Sequence, residues 1–309
     1  MELRVEEALI SALNEVPNLP SAVDPEWLTL LMPNIDAEFH LFTVYLGESI
    51  VAWFPHWVRK HLGLLTVVNP YPFYYTCLIT NLPPRKLHQD RQRLHLQILR
   101  TLAIELKKRY HRTQINLRWE TTDIRGFQWE GYTAIPCYTL INRLDSMTVE
   151  TMTPGHRTEY RTAERSALEF VENTDVEGLV RLMSASYQRQ NKQLAVAQET
   201  LSSLVTSALN HPSAHLFSVL RAGSPIAAEL VQIDARHEIG FGLMTGFDIT
   251  VSCGAGVFLK QRLFERLQES CKLFDMCGAN TPMIAQFKAG FGGELTPFFQ
   301  LKYSRLRIR

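Results

Sequence analysis

Four short stretches of this 309-residue sequence hold residue types that can do chemistry. In "SCGAGVFL", Cys253, Gly254, Ala255 and Gly256 fall where an extended run gives way to a helical one. Unpaired backbone N–H groups and the positive end of a helix converge there, a setting that takes an anion. Glycine can equally serve only to turn the chain into its helix, and the residues leave both readings open. In "SPIAAELVQID", alternation puts Glu229 on the face of Ala227 and Val231. Partial burial there raises a carboxyl group toward the range of a general base, unless a buried arginine pairs with it. Asp248, closing the next strand-like run "HEIGFGLMTGFD", is a second carboxylate in reach of such a role, or the cap of a turn. "QFKAGFGG" sets a lone lysine, Lys288, among glycines and aromatics; taken alone it reads as a surface lysine on a short helix.

Other chemistries find less support. There is no Ser-His-Asp order, and the cysteines Cys77, Cys137, Cys253, Cys271 and Cys277 are odd in number. No C-x-x-C pair or neighbouring histidines give a zinc spacing, so the cysteines read as core thiols and no metal is expected. Lys plus Arg (32) nearly cancel Asp plus Glu (31), which argues against a chain built as a whole to hold nucleic acid. No apolar run is long enough for a membrane span, and the opening "MELRVEEALISALNEV" is acidic and amphipathic without a basic leader, so a cytoplasmic protein is expected.

The elements that must position these residues follow from periodicity. "EFHLFTVYLGESIVAWFPHWVRKHLGLLTVVNP" alternates as strands do. Leu94, Ile98, Leu102 and Leu106 then mark a long helix, with nine Lys or Arg from Arg85 to Arg112 against Asp90 and Glu105. That basic face is either solvated or open to a polyanion. The first half closes near Asp145. The second half reads as a helix from Pro154, helices over Val176–Tyr187 and Gln198–Ala208, and three strands through "AHLFSVLRAG", "SPIAAELVQID" and "HEIGFGLMTGFD". A helix through "VFLKQRLFERLQESCKLF", a strand at "FDMCGAN", a short helix at "PMIAQFKAGFG" and a last strand at "PFFQLKYSRLRI" complete it. With 46% hydrophobic residues, two domains are expected, residues 1–150 and 151–309.

A meander followed by a Gly-rich loop, helix, strand and short helix resembles the GNAT acyltransferase fold. "FDMCGANTPMIAQFKAGFGGELTPFFQL", with "GFD" and "YRTAERSAL", is similar to the Fem-like branch of that superfamily. The likeness is most specific over the last sixty residues and one of layout in the first half. It implies an α/β fold of tandem GNAT-like units, with mixed, mostly antiparallel sheets flanked by helices and a degenerate N-terminal unit. It implies an acyl-CoA donor whose pyrophosphate lies on the loop of Cys253, Gly254, Ala255 and Gly256, although Val251 stands where the family pattern has Gln or Arg. Lys288 matches the lysine of the family's Phe-Lys-x-x-Phe-Gly segment, at the donor side of the active site, and Asp248 matches an aspartate common in Fem-like sequences. The implied activity is transfer of an acyl group, acetyl above all, to the amine of a small molecule or peptide, with Lys288, Glu229 and Asp248 as catalytic candidates. Two alternatives stand beside it: an aminoacyl-tRNA-dependent transferase of cell-wall synthesis, with the basic helix facing tRNA, and a non-catalytic binding protein of the same fold.

Overall fold

A computed structural model describes residues 2–84, 87–189, 191–251 and 253–305. The first half runs β1 (Leu3–Ala8), α1 (Pro25–Leu31), β2 (Glu38–Leu46), β3 (Ser49–His61), β4 (Leu64–Val68), β5 (Ile79–Thr80), α2 (His88–Arg109), β6 (Arg112–Leu117), α3 (Arg125–Trp129) and β7 (Thr133–Arg143). The second runs α4 (Pro154–Glu164), β8 (Glu169–Asn173), α5 (Val176–Arg189), α6 (Gln198–Leu209), β9 (Ala214–Arg221), β10 (Ser224–Asp234), β11 (Ile239–Phe247), α7 (Ala255–Leu267), β12 (Leu273–Asp275), α8 (Pro282–Ala289) and β13 (Glu294–Ser304). The elements follow local chemistry. Asp24 caps α1, accepting from the N–H of Glu26 at 2.9 Å, and Pro25 fills the first helical position, where no donor is needed. The apolar row of α2 is buried as its four-residue spacing requires.

One boundary differs from the sequence reading. The helix expected through "VFLKQRLFERLQESCKLF" does not run to Phe274: α7 stops at Leu267, and Leu273–Asp275 is a strand. The N–H groups of Lys272 and Leu273 donate to the Glu238 carbonyl at 2.7 and 3.1 Å, which draws this segment onto the sheet.

The described strands form one continuous sheet in the order β1-β2-β3-β4-β6-β13-β7-β12-β11-β10-β9-β8, with β5 paired to β3. Each half repeats one plan: a strand, helical segments, a three-stranded meander, a helix, a strand paired in parallel with the meander's last strand, a short helix and a closing strand. The closing strands are exchanged. β7 pairs with β12 of the second half, and β13, last in the chain, pairs with β6 of the first. The fold is therefore a tandem of GNAT-like units, as the resemblance implied.

The halves differ at one point that bears on chemistry. In the first, the gap where β4 and β6 part is closed by the chain itself: the N–H of Thr76 donates to the Asn116 carbonyl at 2.7 Å, and Arg118 donates back to Thr76 at 3.1 Å. Nothing equivalent spans β11 and β12 among the described residues. Three apolar clusters hold the sheet. α2 and α3 cover the first half, α4 and α7 cover one face of the second, and α1, α5 and α6 share a cluster that runs across both halves.

Candidate active site where two strands diverge

β11 and β12 pair only over Ile239–Phe241 and Leu273–Asp275 and then separate. On its other edge β11 is irregular. Leu230 of β10 faces Met244 while Val231 faces Gly242, so Leu243 is an extra residue, a bulge that bends the strand. Beyond Phe241 the edge of β11 toward β12 has no strand partner among the described residues, and its N–H and C=O groups can take an extended ligand as a strand would.

The other wall is Asp275–Gly278. Asp275 is fully buried, and its Oδ1 accepts from the Thr139 hydroxyl at 2.6 Å and the Cys277 N–H at 2.7 Å. Its Oδ2 accepts from Trp119 Nε1 at 3.1 Å. Burial nevertheless raises its pKa above the ordinary aspartate value, since these bonds only partly offset desolvation. Cys277 has φ 52°, a left-handed conformation that costs energy in a non-glycine residue and is held by these contacts. Lys288 holds the segment from the other side. Its Nζ donates to the carbonyls of Met276, Cys277 (3.3 Å) and Gly278 (2.6 Å), so it is not a surface lysine. Burial, and then the neighbouring charge of Lys260, lower its pKa to about 8.

Glu229 lies under this wall, on the face predicted from alternation, with Ala227 and Val231 in the cluster below α7. It forms a buried ion pair with Lys260 of α7, whose ammonium also lies 4.9 Å from the centre of the Phe274 ring. The pair fits because residue 242 is glycine: a Cβ there would collide with Glu229 Oε1. Oε2 of Glu229 is buried without a hydrogen-bond partner, an acceptor that no donor meets. Lys260, Glu229 and Asp275 are each close enough to act electrostatically on Lys288.

The glycine loop joins this site through aromatic rings. Gly254, at φ 73°, is the residue before α7, and a side chain there would strike the Glu159 backbone of α4. Gly254 has no side chain with which to cap α7, and among the described residues no side chain caps it, a setting in which helix N–H groups can meet an anion. Cys253 and Ala255 are buried beneath the loop, and Gly256 is open enough that a Cβ would only touch Phe247 and Phe287, whose rings lie 5.6 Å apart. Val251 packs against the core under α7 and offers no side-chain donor. His156 of α4 braces α8 with a 2.8 Å hydrogen bond between its Nε2 and the Phe287 carbonyl, next to Lys288.

The structure thus brings Lys288 and Glu229 together and sets the glycine loop one aromatic pair away. Asp248 stands apart in use: its Oδ1 accepts from the Thr250 N–H at 2.9 Å and hydroxyl at 2.6 Å, and these bonds hold its pKa below the ordinary value. Sequence reasoning did not single out Lys260, which lies in the expected helix beside its apolar row. It also missed Asp275 with Thr139 and Trp119, although the carboxylate inside "LFDMCG" was a signal of the kind that singled out Glu229. The basic face of α2 is largely paired, Arg100 and Lys107 with Glu130, and Lys108 and Arg109 with Glu105. Arg85 and Lys86 lie outside the described residues.

Comparison with known proteins agrees with this geometry. Residues 155–289 match the family model of the acetyltransferase (GNAT) domain. FemX has the same fold, with a TM-score of 0.66 at 10% identity over 95% of this chain and 96% of that one. The C-terminal domain of a putative lysylphosphatidylglycerol synthetase from Agrobacterium fabrum gives 0.59 at 12% identity, over 95% and 91%. A tandem GNAT protein from the clavulanic acid biosynthesis pathway gives 0.54 at 13%, over 97% and 98%. A search of curated proteins returns no match. Residues 155–289 thus match an acetyltransferase (GNAT) domain, and the chain as a whole shares the fold of these three structures.

Proposed function

We propose that this protein transfers an acyl group, acetyl above all, from a CoA thioester to an amine, with residues 151–309 carrying the chemistry and residues 1–150 serving as a degenerate partner unit. The observation that carries the reading is the unpaired edge of β11, which faces the lysine-held segment Met276–Gly278. In this reading the uncapped start of α7, at Gly254, Ala255 and Gly256, receives the donor's pyrophosphate. Free N–H groups of β11 are the donors for the carbonyl oxygen as it becomes an oxyanion. The acceptor nitrogen attacks the carbonyl carbon, the C–N bond forms, the C–S bond breaks and the thiolate leaves. The proton lost by the amine passes to Glu229 Oε2, directly or through one water.

Lys288 acts chiefly by holding Met276–Gly278 in place. All three of its N–H bonds are engaged, and only release of the 3.3 Å contact to Cys277 would free one for the oxyanion. Its positive charge serves in either arrangement. Asp248 keeps a supporting role at the end of β11. Because most cations of α2 are already paired, the structure supports a thioester donor better than an aminoacyl-tRNA. No described helix is long and apolar enough to cross a membrane.

The test is thiol release from acetyl-CoA in the presence of a panel of amines, together with melting scans. At about 100 times Kd, a bound CoA ester stabilises the fold by roughly 2.7 kcal/mol. Absence of any shift with CoA esters, alongside binding of aminoacyl-tRNA, would reverse the assignment of the donor.

A further inference from the structure

On the face of the sheet opposite Glu229 and α7 lies a small cavity of about 40 Å³, bounded by Tyr74, Tyr75, Arg118, Gln232, Phe241 and Cys277. Its place follows from strand register. Gln232 and Phe241 are cross-strand partners, one residue along from Val231 and Gly242, and so point away from the α7 side. One residue separates the cavity from the candidate active site: Cys277 borders it, while the Cys277 carbonyl accepts from Lys288.

The polar groups here lack partners of one kind. Arg118 is 8% exposed, yet its Nε is buried with no hydrogen-bond partner. Its guanidinium stacks 4.9 Å over the Phe241 ring and meets Glu120 through Nη2 at 2.9 Å. The Tyr75 hydroxyl is likewise buried and makes no hydrogen bond of good geometry, although the Thr139 hydroxyl and the Asp275 carboxylate are close enough to interact with it. Arg118 Nε can only donate and the Tyr75 hydroxyl can donate, and a buried donor left unsatisfied costs about 1–3 kcal/mol, so an acceptor in the cavity would satisfy both. Among the described residues Arg118 is the only charged one lining the wall, with the carboxylates of Glu120, Asp234 and Asp275 close enough to act on it; the thiols of Cys77 and Cys277 are held protonated by burial. The volume admits a few non-hydrogen atoms and no ring.

We infer that this cavity is a carboxylate pocket: Arg118 and Tyr75 bind the carboxylate of the acceptor, which is therefore an amino carboxylate, an amino acid or the C-terminal residue of a peptide. The inference rests on the proposed transfer to an amine for the word acceptor, but not for the pocket. Glu120 is half exposed and competes for the same guanidinium, so removing its charge should strengthen the site.

Binding is measured without reference to transfer, by melting scans of the full chain with sodium acetate against acetamide and sodium chloride. Acetate should raise the melting temperature, and acetamide and chloride should not. Arg118→Gln should abolish the shift. Tyr75→Phe removes a single hydroxyl and should weaken acetate by about tenfold even if the arginine variant fails to fold. Glu120→Gln should tighten it. Equal shifts from acetate and acetamide, or none from either, would overturn the pocket and leave a site for water only. Glycine against an alanine tripeptide, and each against its carboxamide, then separates a free amino acid from a peptide C-terminus. A chain that binds acetate but releases no thiol from acetyl-CoA would keep the pocket and reject the donor reading.

Discussion

The Lys288 ammonium lies 2.6 Å from the carbonyl oxygen of Gly278 and also reaches the carbonyls of Met276 and Cys277, so one side chain answers three consecutive backbone acceptors. These residues lead β12 away from β11 and define the width of the opening. Lysine is suited to the position because a compact ammonium can donate in three directions, whereas a planar guanidinium cannot.

Replacing it should therefore act on fold and on chemistry together. Lys288→Ala leaves three carbonyls without their donor and should cost roughly 1–3 kcal/mol, besides reducing transfer by about 100-fold or more. Lys288→Arg should recover part of each. Urea melts and single-turnover rates on the same preparations check this. A stable, fully active alanine variant would show that the segment holds itself and that the lysine is idle.

Titration of Lys288 has a definite sign. Its pKa in the folded protein, about 8, lies below the ordinary value of 10.5. Below pH 8 the ammonium is charged in both states, and the folded state bears the cost of burying it. Between pH 8 and 10.5 the unfolded chain binds more protons, so this group makes stability rise with pH across that window. The difference in unfolding free energy between wild type and Lys288→Met isolates it from tyrosines and thiols that ionise over the same range. Transfer should fall as pH passes 8, because the charge near the oxyanion is lost. A wild-type curve parallel to that of the methionine variant would place the lysine's pKa elsewhere.

Glu229 and Lys260 can be separated as base and partner. Glu229→Gln leaves Lys260 as an uncompensated buried charge and should cost about 3–5 kcal/mol. The double variant Glu229→Gln with Lys260→Met should regain most of that stability. If Glu229 Oε2 takes the amine's proton, neither variant recovers transfer, and the acidic limb of the pH–rate profile disappears in both. A double variant that is both stable and active would leave the pair a structural role alone.

Local patterns were legible in the sequence where one element decides its own form. The helix expected over Val176–Tyr187 is α5 at Val176–Arg189, and the three expected strands after it are β9, β10 and β11. Lys288 and the glycine loop were found through the family resemblance, and Glu229 through alternation. What stayed hidden depends on partners far along the chain. Asp275 meets Thr139 across 136 residues and Trp119 across 156, distances over which no period runs. Lys260 was not picked out because a helical pattern reports a face and not what lies opposite it; only the fold sets Glu229 there.

The exchange of closing strands was equally invisible, since alternation says that "PFFQLKYS" is a strand but not which strand it joins. It has a direct consequence for the division at residue 150. β13 buries Leu301 in the cluster under α2 and lies between β6 and β7, so each half lends the other a strand. A chain ending at Gly293 loses that strand, leaves β6 and the facing side of β7 unpaired, and removes the fully buried Leu301 and the nearly buried Phe298. Two large core side chains are worth about 2–5 kcal/mol each, comparable with the total stability of a domain. Both halves should lose cooperative unfolding, seen as a broad thermal transition and binding of a hydrophobic dye. Residues 1–150 expressed alone should behave the same way until a peptide of residues 294–305 is added. A sharp unfolding transition from residues 1–150 without the peptide would show that the first unit holds together without the strand it borrows.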